Sequence, residues 1–262
     1  MKHYDIILVG AGAAGVFASY ELTRLQNKAA ILMLEKGAAL TERVCPIKAG
    51  KTKKCIKCDP CHIMNGYGGA GTLSDGKYNI TNKFGGDLHC YVGEEEALQL
   101  MEYVDSVLCS FGGEAAKLYS TGDCDLKTRA LRNNLYLLDA KVRHLGTDRN
   151  LEILKQIYDF TKDRVDIRFH TSVVDVERLA NGDFQVRTDQ GEVYACHDLL
   201  LTGGRSGSRW ISEICKKFQI TLESNRVISA LGWSCPRKCL RKSPTRFMRA
   251  KSFIKLSGIT IW

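Results

Sequence analysis

No apolar run in this 262-residue chain approaches the ~18 residues that a bilayer-spanning helix needs, so no membrane span is expected. The opening residues, Met1-Lys2-His3-Tyr4-Asp5, lead straight into Ile6-Ile7-Leu8-Val9. That run is too short for the apolar region of a secretory signal, and no cleavage site follows it. Neither a Ser–His–Asp arrangement nor a zinc-protease helix is present. Acids are missing from one stretch altogether: Arg226 to Trp262 holds nine Lys or Arg and no Asp or Glu. The other 29 basic residues balance 29 acidic ones, so the net charge of +9 sits in the tail. A basic surface on the folded body is therefore not indicated, and nucleic acid is not an expected partner.

What is present has a globular balance. Hydrophobic residues at 44% and charged residues at 26% exclude a wholly disordered, collagen-like or fibrous chain. The length suits one or two domains. There are 11 cysteines, an odd number. With no leader, the expected compartment is the cytoplasm, where they read as thiols, metal ligands or redox groups rather than structural disulfides.

The first thirty-five residues carry the strongest motif. Asp5 to Val9 is a short run of β-formers, and Gly10-Ala11-Gly12-Ala13-Ala14-Gly15 follows at once. Val16 to Arg24 has helical composition. Ala29 to Leu34 is a second apolar run, closed by Glu35. The order is strand, glycine turn, helix, strand, acid. Gly10 permits the tight turn, Gly12 lets a diphosphate approach the backbone, and Gly15 lets helix and strand pack closely. The helix start offers unpaired N–H groups and the positive end of its dipole. Glu35 stands where a carboxylate can accept hydrogen bonds from ribose hydroxyls and would repel a 2′-phosphate.

Chain order bears on which dinucleotide. A simple NAD-binding unit continues with a helix and a third parallel strand. Here a long Cys- and Gly-rich stretch intervenes, and the next sheet material is Val165 to His170. Ser172 to Glu177 and Phe184 to Thr188 read as strands separated by the turn signal Asn181-Gly182. Val193-Tyr194-Ala195 and Asp198 to Leu201 complete a β-meander that ends in Thr202-Gly203-Gly204.

In this pattern the sequence resembles the two-dinucleotide-fold FAD oxidoreductases. More narrowly, it resembles bacterial FAD-dependent dehydrogenases over roughly residues 1 to 225. The narrower likeness rests on Cys45-Pro46-Ile47, on Cys55 to Cys61, on Gly66 to Lys77, on His144 to Asp148, and on Gly204-Arg205-Ser206-Gly207 with Trp210. The resemblance implies an α/β, Rossmann-like FAD-binding domain with a parallel sheet, a β-meander and a helical insertion over about 42–163. It implies that Gly10, Gly12, Ala13, Ala14 and Gly15 hold the FAD diphosphate. Glu35 would take the adenosine ribose with Lys36 beside it, Arg43 would reach a phosphate or ribose, and Val173 would meet the adenine edge through its backbone. Thr202, Gly203 and Gly204 would pass close to the cofactor. Gly66 to Gly76 has five glycines in eleven residues, and in the resembling family this stretch lies against the flavin. Gly69, Gly71 and Ser74 are accordingly candidate contacts, beside the plainer reading of a surface loop.

Cys55, Cys58 and Cys61 follow C-x2-C-x2-C spacing, with Cys45 upstream. Four thiolates suit a tetrahedral zinc ion, and three plus a remote fourth suit an iron–sulfur cluster beside a flavin. The other readings are a redox-active thiol, favoured by neighbouring lysines, and plain free thiols. His62 is a further candidate ligand, and His144 with Asp148 a candidate acid–base pair; structural or exposed roles compete for each. Glu94 to Cys109 and Leu151 to Thr161 show helical periodicity and read as packing elements. The basic tail from 226 to 262, containing Cys235 and Cys239, breaks compositionally from the body. It reads as a truncated or frameshifted end, with a lipid- or RNA-contacting extension and a small subdomain as the other readings.

The expected function is FAD-dependent oxidoreduction acting on a small-molecule substrate or an electron-transfer partner. No catalytic base is named by the sequence. The alternatives are an NAD-binding dehydrogenase and a non-enzymatic metal-thiolate or RNA-contacting module.

Overall fold

The computed structural model describes residues 1–26, 28–122, 125–222, 254–256 and 259–261. The opening motif folds in the expected order. Strand β1 (Lys2–Val9) leads through the glycine turn into α1 (Ala13–Arg24), and β2 (Ile31–Leu34) returns parallel to β1, with Ile6 opposite Ile31 and Val9 opposite Leu34. All four residues of β2 are buried, as befits a central parallel strand covered on both faces.

The chain then passes through β3 (Lys77–Ile80), α2 (His89–Val92), α3 (Glu94–Ser110), β4 (Leu118–Ser120), α4 (Asp125–Leu131) and β5 (Lys141–His144). It continues with α5 (Thr147–Thr161), β6 (Val165–Arg168), β7 (Val173–Arg178), β8 (Phe184–Thr188), β9 (Val193–Leu201) and α6 (Ser208–Lys217). A six-stranded sheet has the order β6-β2-β1-β9-β8-β7. Its β6-β2, β2-β1 and β1-β9 pairs are parallel, while β9-β8 and β8-β7 are antiparallel. This is a mixed α/β fold dominated by its parallel strands. The meander strands join the same sheet, and β9 runs unbroken through residues 196 and 197, with the buried Cys196 paired to Tyr4 of β1 and Phe184 of β8.

Two units can be distinguished. Met1–Lys77, Val107–Ala116 and His144–Leu222 form one, which contains the six-stranded sheet. Its core includes Ile7, Val9, Leu32, Leu34, Val176, Val186 and Cys196. Helices α1 and α5 pack together, with Tyr20, Phe111 and Phe160 meeting at ring separations of 5.5–6.1 Å.

Described residues of the other unit are 78–106, 117–122, 125–143, 254–256 and 259–261. Here the expected helical insertion proves to be mixed, because β3, β5 and β4 form a three-stranded sheet in that order. Arg143 and Asp105 make a bidentate ion pair in this unit at 2.6 and 2.8 Å, both side chains nearly buried. Strands β10 (Ile254–Leu256) and β11 (Ile259–Ile261) pair antiparallel. The rest of the basic tail, with Cys235 and Cys239, lies outside the described residues. Among the described residues no helix is long and apolar enough to cross a membrane.

Candidate functional site

The site forms where β1, β2 and β9 end together. Gly10 adopts φ +109°, a region that favours glycine, and a Cβ there would lie 2.8 Å from the Thr202 carbonyl oxygen. A Cβ on Gly15 would collide with the Gly10 carbonyl oxygen. Thr202 closes the turn from the β9 side. Its hydroxyl donates to the carbonyls of Val9 (3.0 Å) and Gly10 (2.7 Å), and its N–H donates to Val9 (2.8 Å). Gly12 differs from the other two: φ is −70°, and a Cβ would meet only the Thr202 carbonyl oxygen at 3.8 Å. Ala13 and Ala14 are exposed, and no side chain caps the start of α1. The first N–H groups of a 12-residue helix thus remain open beside a glycine with room in front of it.

Glu35 is buried and accepts three backbone hydrogen bonds. Ala11 donates to Oε2 at 2.7 Å; Gly37 and Gly66 donate to Oε1 at 2.7 and 2.9 Å. One carboxylate therefore ties the β1–α1 turn, the exit from β2 and the glycine segment to one another. A carboxylate offers about four acceptor positions, so one is left beyond these three bonds. Gly37 is glycine for a packing reason, since a Cβ there would collide with the Gly66 nitrogen. The same strand end receives the β6–β7 connection: Thr171 N–H donates to the Glu35 carbonyl (2.9 Å) and His170 N–H to that of Gly37 (3.0 Å). Val173, two residues on, begins β7 opposite Thr188, and Lys36 is half-buried beside Glu35.

The glycine segment rests on the opening turn. Gly68 N–H donates to the Ala11 carbonyl at 2.7 Å, and a Cβ on Gly69 would stand 3.0 Å from Gly12 Cα. Tyr67 anchors the segment from below, fully buried among Tyr158 and Phe169 at ring separations of 5.2 and 6.4 Å. Gly71 and Ser74 are exposed, and the Ser74 hydroxyl donates to the Gly71 carbonyl at 2.6 Å. Gly203 lies against Ile211, while Gly204 is exposed.

Arg43 occupies a different place from the one expected. Its guanidinium is buried and donates to the carbonyls of His62 (3.1 Å), Ile63 (2.8 Å) and Tyr67 (2.7 Å). Burial lowers its pKa, and the nearby Glu35 charge opposes that shift. In place of a reach towards phosphate or ribose, the side chain clamps the loop that delivers Gly66 to Glu35.

Of the readings open for the thiols, the metal site is not supported. Cys45, Cys55, Cys58 and Cys61 are free thiols, and among the described residues no three His, Cys, Asp or Glu side chains gather to hold an ion. The loop is shaped by backbone bonds instead. The Cys61 carbonyl accepts from the N–H groups of Met64 (3.0 Å) and Asn65 (2.9 Å), and Cys45 accepts from Ala49 (2.9 Å). Cys55 Sγ accepts the Lys57 N–H at 3.4 Å. Zinc and iron–sulfur chemistry therefore find no assembled ligand set. Asp148 is exposed in the first turn of α5, where its charge favours the helix dipole, and His144 ends β5.

Gly37 and Asn150 carry no signal in the sequence, while Gly66 is marked there only as the start of the glycine segment and Thr202 only as a residue passing close to the cofactor.

No family model matches the chain, and no curated protein matches it. Among solved structures, it is similar to glycine oxidase from Geobacillus kaustophilus, at 15% identity and TM-score 0.48, over 82% of this chain and 59% of that one. It is similar to pqsL, a probable FAD-dependent monooxygenase from Pseudomonas aeruginosa, at 12% identity and TM-score 0.43, over 86% and 48%. A cyclohexanone monooxygenase mutant from Rhodococcus sp. Phi1 bound to NADP+ gives 17% identity and TM-score 0.38, over 78% and 27%. The chain thus spans from 27% to 59% of the length of these structures.

Proposed function

We propose that this chain binds FAD and serves a flavin-dependent oxidoreductase. The observation that carries the reading is the open start of α1, with Gly12 uncrowded and Ala13 and Ala14 exposed, at the parallel strand ends beside the buried Glu35. The residues fit an ADP moiety: N–H groups and a dipole for the diphosphate, and one acceptor position of Glu35 for a ribose hydroxyl. When bound, FAD supplies hydride or electron transfer through its isoalloxazine ring. The chain's own part is to grip and orient. Glu35 holds three backbone segments in register, Thr202 closes the turn, and Arg43 fixes the loop carrying Tyr67.

FAD is favoured over NAD by the sheet. The third parallel strand on the β2 side is β6, reached only after the long insertion, and an antiparallel meander continues the sheet beyond β9. The flavin would act on a small-molecule substrate or exchange electrons with a partner protein.

The test is the visible spectrum of purified protein, with cofactor extraction and titration with FAD and NAD. Flavin bands, or micromolar or tighter FAD uptake, are expected. Well-folded protein that takes up neither coenzyme would refute the reading.

A further inference from the structure

We propose that Asn150 is the positioning residue of this nucleotide site, a proposal that rests on the flavin reading. Asn150 lies in the first turns of α5 and is fully buried. Its Nδ2 donates to two carbonyls of the glycine segment, Gly71 at 3.0 Å and Thr72 at 3.1 Å. The neighbouring residues sew the rest of that segment to the same helix start. Thr147 hydroxyl donates to the Ser74 carbonyl (2.9 Å), Gly146 N–H to Asp75 (3.0 Å), and Leu145 N–H to Gly76 (2.9 Å). Gly76, at φ +59°, is pressed so closely that a Cβ would stand 3.0 Å from Asn150 Cβ.

The consequence is felt at the other end of the segment. With the carbonyls of 71 and 72 held by α5, the Gly69–Gly71 turn sits on Gly12, and a Cβ on Gly69 would come within 3.9 Å of the Ala13 nitrogen. Among the described residues the Ala70 N–H makes no hydrogen bond, and Ala70 and Gly71 are both exposed. Asn150 therefore holds a further free peptide N–H, that of Ala70, close to the open N–H groups at α1. It touches none of these N–H groups itself. An amide is required for this hold: one NH2 group serves two acceptors, whereas an aspartate would place acceptor oxygens against carbonyl oxygens.

The experiment compares FAD titrations of wild type, Asn150→Asp, Asn150→Ser and Ile157→Val, with amide hydrogen exchange on each. Ile157 is buried on the same helix and serves as a packing control. Asn150→Asp should weaken FAD about tenfold or more and speed exchange across 66–76. Asn150→Ser, which keeps one donor, should fall between it and wild type. Ile157→Val should lower the melting temperature and leave FAD affinity within twofold. The role of Asn150 is overturned if Asn150→Asp binds FAD within twofold of wild type, or if Ile157→Val loses affinity equally. Should Asn150→Asp fail to fold, wild type decides: FAD must slow exchange at 66–76 as well as at 10–16, and an unprotected 66–76 overturns the proposal. Wild type that takes up no FAD sinks the flavin reading and this inference together.

Discussion

Replacing Glu35 by glutamine separates two roles that the sequence motif merges. If the carboxylate served only a ribose, the cofactor-free protein would not feel the change. The structure gives it work before any ligand arrives, because it accepts N–H groups from Ala11, Gly37 and Gly66 in a buried setting. The glutamine amide is nearly isosteric and has one acceptor oxygen. That oxygen is best kept on Gly37 and Gly66, where it satisfies two donors. The NH2 group must then face the Ala11 N–H, donor against donor. One charge-assisted hydrogen bond is lost, worth about 1.5–3 kcal/mol, and the two survivors become weaker neutral bonds. Cofactor-free Glu35→Gln should therefore be less stable than wild type by about 2–4 kcal/mol. Urea unfolding followed by far-UV circular dichroism measures this directly. An unfolding free energy within about 0.5 kcal/mol of wild type, the range of an ordinary surface substitution, would refute the account of Glu35 as the tie among three segments.

The glycines should divide by role. Gly15→Ala drives a Cβ into the Gly10 carbonyl and should destabilise the fold by about 3 kcal/mol or more, seen as a lowered melting temperature, whereas Gly12→Ala should fold almost normally yet lose FAD affinity in titration. Burial pushes the Cys196 thiol up to about 12, so it stays neutral in the fold. The sign follows: this group leaves stability untouched below its unfolded value near 9, and stability falls as pH rises from there towards the folded value. Iodoacetamide at mildly alkaline pH should label the exposed Cys55 and Cys90 first and Cys196 only on unfolding, as peptide mass spectrometry would show; native labelling of Cys196 at the Cys55 rate would contradict its burial. Asp105→Asn removes the charge that faces the buried Arg143 guanidinium and should cost about 3 kcal/mol in thermal or urea unfolding.

Much of the fold was legible because its signals are local. The turn from Gly10 to Gly15 lies between two apolar runs, and β1, α1 and β2 form there. The strand read over 184–188 is β8, and the helix read over 94–109 is α3. The missed three-stranded sheet had no such signal: β4 is exposed at all three positions, and β3 and β5 span four residues each. The thiol spacing failed for the opposite reason. C-x2-C-x2-C is a local pattern, but a metal site needs convergence in space, and here the loop is folded by the Cys45 and Cys61 carbonyls instead.

The glycine turn and its acid were legible in their places on the strands and illegible in their wiring, and the distances along the chain explain why. Glu35 was placed correctly at the end of β2, yet two of its three donors come from turns 24 and 31 residues away. The resemblance implies that Arg43 reaches a phosphate or ribose, whereas its guanidinium donates to carbonyls 19 to 24 residues on. Asn150 lies 78 and 79 residues beyond the carbonyls it holds, with no periodicity to announce it. Such contacts are selected by backbone groups, which every residue possesses, so no residue type at the receiving end marks them. A glycine motif tells where a diphosphate can approach. The buried carboxylate, guanidinium and amide that hold the motif's partners in place emerge only when the chain closes on itself, and substitutions at those three positions are therefore the sharper probes of whether this turn was shaped to hold a nucleotide.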